Sequence, residues 1–262
     1  MKKGCLSIKV GPFSIGLTTD DEKFCARLAG FYQEFLTEQE PILTIQTKIS
    51  QEKGEIPALP TINPDKIVFD APGYRGELNW FEKSAFLELG GKEALVGCDY
   101  FLRVTVAVVA YHAGGILFHA AGVEREGKAY LFIGHSGAGK TTTARNSPPG
   151  SVLNDDLLIL YPSADGWVAY ATPFYNPTQV RPRPGSAPIQ KILYLVKDQN
   201  VYLEEIPLAI ALAEMIACVP VLTASSFYLP EILKRCNEIL ATIPYYHLHL
   251  LPDDSYWKIL LV

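Results

Sequence analysis

Cysteine is scarce in this sequence and shows no pairing pattern. The five cysteines are odd in number, are scattered along 262 residues and never take the short spacing of zinc or redox motifs. This excludes a disulfide scaffold, and a reducing compartment suits the thiols. The N-terminal residues also lack the unbroken apolar segment of a signal peptide. We therefore expect a cytoplasmic protein.

Long hydrophobic runs and an excess of basic residues are also missing. The longest apolar stretch, 105–116, is interrupted by His112 and is shorter than the ~20 residues that a membrane-spanning helix needs. Lys and Arg number 23 against 28 Asp and Glu, and the resulting net charge of -5 excludes a general affinity for nucleic-acid backbones. We expect neither a membrane nor a nucleic-acid partner. The hydrophobic share of 48% is typical of a globular protein.

Residues 1–93 have the pattern of short strands with one helix. Two alternating runs flank Gly11-Pro12 and predict a hairpin. Asp20 and Asp21 can cap a following helix, whose apolar residues recur at helical spacing as far as Leu36. Further strand patterns occupy 42–49, 66–70, 74–80 and 84–89. We predict a smaller N-terminal lobe, built as an antiparallel sheet covered by one helix.

Residues 94–262 have longer apolar segments. A linking helix is predicted over 94–113, with Gly114 following it as a cap. The predicted strands are 116–123, 129–133, 152–160, 192–196 and 247–250. The predicted helices are 208–218, 229–241 and 255–261. The sequence thus indicates an α/β domain with a nucleotide-binding sheet, joined to the α+β lobe.

A glycine-rich segment carries the strongest functional signal. Residues 134–141 read Gly-His-Ser-Gly-Ala-Gly-Lys-Thr and satisfy the phosphate-loop (P-loop) pattern. An apolar strand precedes the segment and a possible helix follows it, which favours this interpretation over a flexible glycine turn. Glycines let backbone N–H groups approach phosphate oxygens, Lys140 can reach the β and γ phosphates, and Thr141 can offer its hydroxyl to Mg²⁺. We predict that ATP and Mg²⁺ bind through Gly134, His135, Ser136, Gly137, Ala138, Gly139, Lys140, Thr141 and Thr142.

Three polar residues, Asn154, Asp155 and Asp156, interrupt an apolar run. Burying carboxylates without partners is costly, so we expect both at a strand end that faces a cation or a nucleophile. One carboxylate would bind Mg²⁺ while the other accepts a proton from an attacking hydroxyl. An exposed Asx turn is the alternative interpretation.

His119 lies in the strand pattern before the glycine-rich segment. A lone histidine in such a strand is more often structural, but beside a carboxylate pair it could orient a base or contact a phosphate.

Two further groups are weaker candidates. Arg181 and Arg183, with Lys191, lie in or next to a Pro-rich segment and could neutralise a transferring phosphate, although solvated charge is the simpler interpretation. His247 and His249, with Asp253, form a conceivable metal cluster, but ordinary strand side chains are again simpler.

The order of these motifs resembles the catalytic core of bacterial HPr kinase/phosphorylase, and it is similar in layout to ATP-dependent phosphoenolpyruvate carboxykinase. The resemblance rests on 116–123, 134–141 and 154–156, and it covers 116–196, under a third of the chain. It implies that His119 is the active-site histidine, Asp155 the proton acceptor, and Asp156 with Thr141 the Mg²⁺ site. The chain looks like a divergent HPr-kinase-like protein, some of whose relatives phosphorylate serine in modified peptides or as a free amino acid.

These observations predict a kinase that transfers the γ-phosphate of ATP to a hydroxyl, with Asp155, His119 and Lys140 as catalytic residues. The acceptor is expected to carry serine on a peptide, a protein or a small molecule, and phosphorolysis would need the same groups. Specificity is expected in the N-terminal lobe and the loop 174–185, and a homo-oligomer is possible. No Asn-Lys-x-Asp follows the glycine-rich segment, which excludes a GTPase. The open alternative is a nucleotide-sensing or peptide-binding accessory protein without turnover.

Overall fold

The computed structural model describes residues 4–50, 55–56, 59–90, 93–175 and 180–261. These residues form a mixed α/β protein with two mixed β-sheets. The predicted α/β class is therefore confirmed at this level.

The first sheet has seven strands in the order β1-β2-β3-β7-β6-β5-β4. The strands are β1 (Gly4–Val10), β2 (Phe13–Thr19), β3 (Leu43–Ser50), β4 (Thr61–Ile62), β5 (Lys66–Ala71), β6 (Tyr74–Asn79) and β7 (Ser84–Gly90). The predicted hairpin is confirmed, because β1 and β2 pair antiparallel around a turn in which Gly11 has a φ of 63°. Only a residue without Cβ adopts this backbone region without cost.

The prediction of an antiparallel first sheet was wrong in part, since β3 runs parallel to both β2 and β7. Helix α1 (Glu22–Phe31) lies between β2 and β3, and such a crossover returns the chain in its original direction. Asp21 caps α1 by accepting a hydrogen bond from the Phe24 amide at 2.9 Å. The helix ends before Leu36, which instead forms a β-bridge with Ile8.

Helix α2 (Ala94–His112) follows the first sheet, as predicted, and packs against β6 and β7 of that sheet and β8 of the second. It is the one helix of the described residues that is long and apolar enough to cross a membrane by length and composition. Burial inside the protein covers 72% of its apolar window, as in the core helix of a globular protein. Its role here is to connect the two sheets.

The second sheet has nine strands. They are β8 (Ile116–His119), β9 (Ala121–Arg125), β10 (Lys128–Ile133), β11 (Val152–Asn154), β12 (Leu157–Ser163), β13 (Gly166–Ala171), β14 (Ser186–Lys197), β15 (Tyr202–Glu205) and β16 (Tyr245–Leu250). The main path is β11-β9-β10-β14-β13-β12-β8, and β16 also pairs with β14 and β15. The long strand β14 contacts β10, β13 and β16, so it joins the halves of the sheet.

Two predicted strands are each broken into two. The run 116–123 divides at Ala120 into β8 and β9, and the run 152–160 divides at Asp155-Asp156 into β11 and β12. The breaks lie against each other, because the Ala120 amide donates to the Asp156 carbonyl at 3.1 Å. We call this place the strand-break junction. Strands β13 and β15 were not predicted, and β14 is longer than the predicted 192–196.

The remaining helices are α3 (Lys140–Arg145), α4 (Leu208–Ala217), α5 (Leu229–Thr242) and α6 (Trp257–Leu260). Helices α4 and α5 confirm the predictions, and α6 is shorter than predicted. One apolar cluster runs from Ile8 in the first sheet to Ile243 beyond α5, and a smaller cluster surrounds Phe132 and Trp257. The division of the chain at residues 93 and 94 stays a prediction.

Candidate functional site

The glycine loop, residues 134–139, connects β10 to α3. Gly134, Gly137 and Gly139 have φ values of 145°, 79° and 120°, which side chains with a Cβ rarely adopt. A Cβ on Gly134 would also lie 2.9 Å from the Ala138 Cβ, closer than van der Waals contact allows. The loop shape therefore requires glycine at these positions.

Lys140 begins α3 and folds back over the glycine loop. Its Nζ donates to the carbonyl oxygens of Gly134 at 2.8 Å and His135 at 3.3 Å. Burial lowers the pKa of Lys140, while nearby Cys218 and Asp156 oppose that shift. The ammonium group is thus held at the loop, within electrostatic reach of the Asp156 carboxylate.

Asn154 shapes the strand-break junction through both ends of its buried amide. The Nδ2 donates to the carbonyl oxygens of Thr172 at 2.9 Å and Phe174 at 2.8 Å. The Oδ1 accepts from the amides of Asp156 at 2.7 Å and Leu157 at 3.0 Å. This Asx-type turn interrupts the apolar run and gives the two carboxylates their positions. The turn is buried, not exposed as the alternative interpretation of the sequence required.

Asp156 is a buried carboxylate with a partner on each oxygen. His119 Nδ1 lies 3.1 Å from Oδ1, and an Arg103 guanidinium nitrogen lies 3.0 Å from Oδ2. Burial alone would raise the pKa of Asp156, but the interactions with His119 and Arg103 lower it below its usual value. The group therefore stays ionised at neutral pH. The His119 amide is itself fixed by a hydrogen bond to the Cys218 carbonyl at 2.7 Å.

Asp155 is 1% exposed and has different surroundings from its neighbour. Its Oδ2 accepts from the Val180 amide at 3.3 Å, whereas its Oδ1 is buried without a hydrogen-bond partner among the described residues. Burial raises the pKa of Asp155, and the negative charge of Asp156 adds to the shift. An ionised carboxylate with an unsatisfied buried oxygen is a strong proton acceptor.

Arg103 belongs to the candidate site, and sequence reasoning missed it. It lies on α2, where its Nε also donates to Asp99 at 2.7 Å, and Asp99 accepts from the Tyr32 hydroxyl at 2.7 Å. The chain of contacts therefore runs from Tyr32, directly after α1, through Asp99 and Arg103 on α2 to Asp156. The sequence did contain an indication of its importance, because Asp99 and Arg103 are an oppositely charged i, i+4 pair within an otherwise apolar helix.

Residues 97–217 match the family model described as ScmC: SynChlorMet cassette protein ScmC. The matched segment is just under half of the chain and contains Arg103, His119, the glycine loop and both carboxylates. A search of the curated proteins finds no match.

Two cavities border these residues. One, of about 370 Å³, lies against the glycine loop and α3 and is lined by Gly137, Thr142 and Asn146 together with 250–253. The other, of about 560 Å³, lies on the far side of α3 between 147–150 and 180–183. Thr141 lies in the first turn of α3, half-buried, while His135 and Ser136 are exposed on the loop.

The weaker candidates from the sequence, Arg181, Arg183 and Lys191, lie in different parts of the structure. Arg181 and Arg183 line the second cavity, and residues 176–179 of the predicted specificity loop lie outside the described residues. Lys191 donates to the Leu260 carbonyl at 3.1 Å, a structural contact that holds α6.

The conceivable metal cluster is not formed. His247 contacts Glu214 at 3.0 Å, His249 contacts Asp198 at 2.9 Å, and Asp253 binds Ser255 instead. Within the described ranges, no group of three or more His, Cys, Asp or Glu side chains could hold a metal by itself.

Proposed function

We propose that this chain is an ATP-dependent kinase that transfers the γ-phosphate to a hydroxyl, with serine as the expected acceptor residue. The observation that supports it is the position of Lys140, whose Nζ folds back over the glycine loop within electrostatic range of Asp156 at the strand-break junction. This position brings a phosphate-binding signal near a carboxylate pair with opposed pKa shifts. Adjacent carboxyl groups whose pKa values are shifted in opposite directions are typical of sites where the two groups have separate roles in catalysis. We also propose the finer fold assignment, a P-loop sheet of the HPr kinase and phosphoenolpyruvate carboxykinase type.

The triphosphate of ATP would lie along the glycine loop, with Gly134 to Thr142 supplying backbone N–H groups and Lys140 a positive charge. Lys140 would exchange its contacts with the loop carbonyls for contacts with phosphate oxygens. The cavity of about 370 Å³ beside Gly137 and Thr142 is in the size range of small-ligand sites and would hold the nucleoside.

The residues also fit a magnesium ion that arrives with the nucleotide. Mg²⁺ in nucleotide sites takes one or two protein oxygens, and phosphates and water complete its shell. Asp156 stays ionised, and each carboxylate oxygen has a second lone pair beyond those used by His119 and Arg103. Asp156 and Thr141 would hold the ion, which would neutralise phosphate charge.

Asp155 would act as the base. The acceptor hydroxyl oxygen forms a bond to the γ-phosphorus, the bond from that phosphorus to the bridging oxygen of ADP breaks, and the hydroxyl proton passes to Asp155 Oδ1. That oxygen has no hydrogen-bond partner in the part of the chain that the structure describes, and burial makes the carboxylate more basic. Lys140 stabilises the charge on the transferring group, while His119 and Arg103 hold Asp156 in place.

A second candidate function is nucleotide sensing without turnover. One observation favours it. Both Asp156 oxygens already have partners in His119 and Arg103, and the Lys140 ammonium already donates a hydrogen bond to the Gly134 carbonyl of the glycine loop. A protein that only changed shape on nucleotide binding could use the same contacts.

Turnover separates the two functions. We expect the purified chain to bind MgATP and to release ADP faster when serine-bearing peptides or free serine are added, with phosphate found on the acceptor by mass spectrometry. Lys140→Ala should lose both binding and turnover. Tight MgATP binding without phosphate transfer to any acceptor would favour the sensor, and absence of binding would reject both.

A further inference from the structure

The second cavity has walls from three separate parts of the chain. The lining residues come from the end of α3 with the turn 147–150, from 180–183, and from Glu34 in the first half of the chain. Three of the lining residues are prolines, Pro148, Pro149 and Pro182, and their fixed φ angles make the backbone around the cavity stiff. We call this cavity the arginine cleft, after Arg145, Arg181 and Arg183.

The charge of the arginine cleft opposes that of the whole protein. Three arginines and one glutamate line it, although the chain carries a net charge of -5. Arg181 and Arg183 are exposed while Pro182 between them is buried. Neither of these two arginines forms an ion pair with another residue of the described ranges.

The cleft reaches the strand-break junction through Val180. Val180 lines the cleft, and its amide donates to Asp155 Oδ2 at 3.3 Å. Arg145, which also lines the cleft, interacts electrostatically with the Asp155 carboxylate. A ligand held by the arginines would therefore lie close to the buried Asp155 carboxylate, whose Oδ1 has no hydrogen-bond partner among the described residues.

We propose that the arginine cleft binds an acidic peptide segment and presents its serine hydroxyl to Asp155. This inference rests on the proposed kinase function and specifies its acceptor. Guanidinium groups bind carboxylates in a two-pronged geometry, and the two exposed arginines, Arg181 and Arg183, match carboxylates at more than one position along the ligand. A cleft of about 560 Å³ accommodates such a segment better than a single small acid.

The test measures peptide binding without nucleotide, by fluorescence anisotropy of fluorescein-labelled Glu-Glu-Ser-Glu-Glu and the matched Gln-Gln-Ser-Gln-Gln. We expect the acidic peptide to bind at least tenfold more tightly. Arg181→Gln combined with Arg183→Gln should remove that preference. The control, Lys66→Gln combined with Arg75→Gln, removes two exposed charges from the first sheet and should leave affinity unchanged.

Phosphate transfer gives a second readout. The double arginine variant should raise the KM for the acidic peptide at least tenfold, with kcat within twofold and MgATP affinity unchanged. Equal affinity for both peptides, an equal loss in the control variant, or displacement of the labelled peptide by equimolar free glutamate would overturn the inference. If the acidic peptide binds as expected but MgATP does not, the kinase function fails while the cleft assignment stands.

Discussion

Two parts of the second sheet contain histidine–carboxylate contacts, and they differ in burial. At the strand-break junction, His119 lies 3.1 Å from Asp156, whose side chain is 11% exposed. On β16, His249 lies 3.0 Å from Glu204, whose side chain is 50% exposed. The distances are equivalent, so the contact itself does not identify a functional site.

The two places differ in whether they contain a buried polar atom that lacks a hydrogen-bond partner among the described residues. His247 and His249 on β16, between β14 and β15, have carboxylates as partners on their ring nitrogens. The strand-break junction contains Asp155, which is buried with one carboxylate oxygen that none of the described residues contacts by a hydrogen bond. Proteins retain such costly groups where chemistry needs them.

The largest effect is expected from Asp155→Asn. The amide cannot accept the hydroxyl proton, so phosphate transfer should fall about 1000-fold, the range of general-base catalysis. MgATP affinity should change less than threefold, because Asp155 is not assigned to the nucleotide. Initial rates and calorimetry would measure the two quantities. Transfer at near wild-type rate would show that the base is misassigned.

The next largest effect is on stability, from Arg103→Ala. The change leaves the carboxylates of Asp99 and Asp156 buried without their cation, at a cost of about 3 kcal/mol in the free energy of unfolding. Urea denaturation would measure it. Arg75→Ala is the matched control, because that arginine forms an exposed ion pair with Asp70 and should contribute less than ~0.5 kcal/mol. Similar losses for the two variants would contradict the assigned burial.

The same contrast predicts different activities for two histidine variants. His119→Ala should reduce phosphate transfer about tenfold, since Asp156 loses a positioning partner, a change worth about 1.4 kcal/mol. His249→Ala removes an equivalent contact on β16 and should leave transfer unchanged. His119→Gln, which can still donate to Asp156, should recover part of the rate. A loss of activity in His249→Ala would remove the distinction between the clusters.

The smallest effect concerns the pH dependence of stability. The folded-state pKa of Asp155 lies above its ordinary value of 3.8, so its contribution to stability is complete below pH 3.8 and is lost as pH rises through the folded pKa. Asp155→Asn avoids that loss and should be more stable than wild type at pH 7 by about 1 kcal/mol. The difference should narrow toward pH 4. Urea denaturation at both pH values would detect it, and a variant less stable at pH 7 would contradict the prediction.

Local sequence patterns predicted the elements that depend on neighbours in sequence. The β1–β2 hairpin, the glycine loop, α2, α4 and α5 fall into this class. The break at Ala120 did not follow from the sequence, because a continuous apolar run also describes an unbroken strand. The break at Asp155 was anticipated only as a strand end at the two carboxylates, within a run that was predicted as one strand over 152–160. These breaks depend on a hydrogen bond between the two runs and on the Asn154 amide, which contacts residues beyond β13.

The residues of the candidate site were predictable, but their surroundings were not. The sequence indicated Asp155 and Asp156 as a pair and the resemblance implied a separate role for each, while their different surroundings come from Val180, His119 and Arg103, which are distant in sequence. Arg103 was missed because its contact with Asp156 spans 53 residues.

The alignment of the two broken strands also has a consequence for folding kinetics. The junction is held by Arg103, His119, Asn154, Val180 and Cys218, which come together only when long stretches of chain have closed. Closing such loops costs entropy before the contacts are gained, so local hairpins and helices should form first. During refolding, nucleotide affinity should therefore return later than bulk secondary structure does.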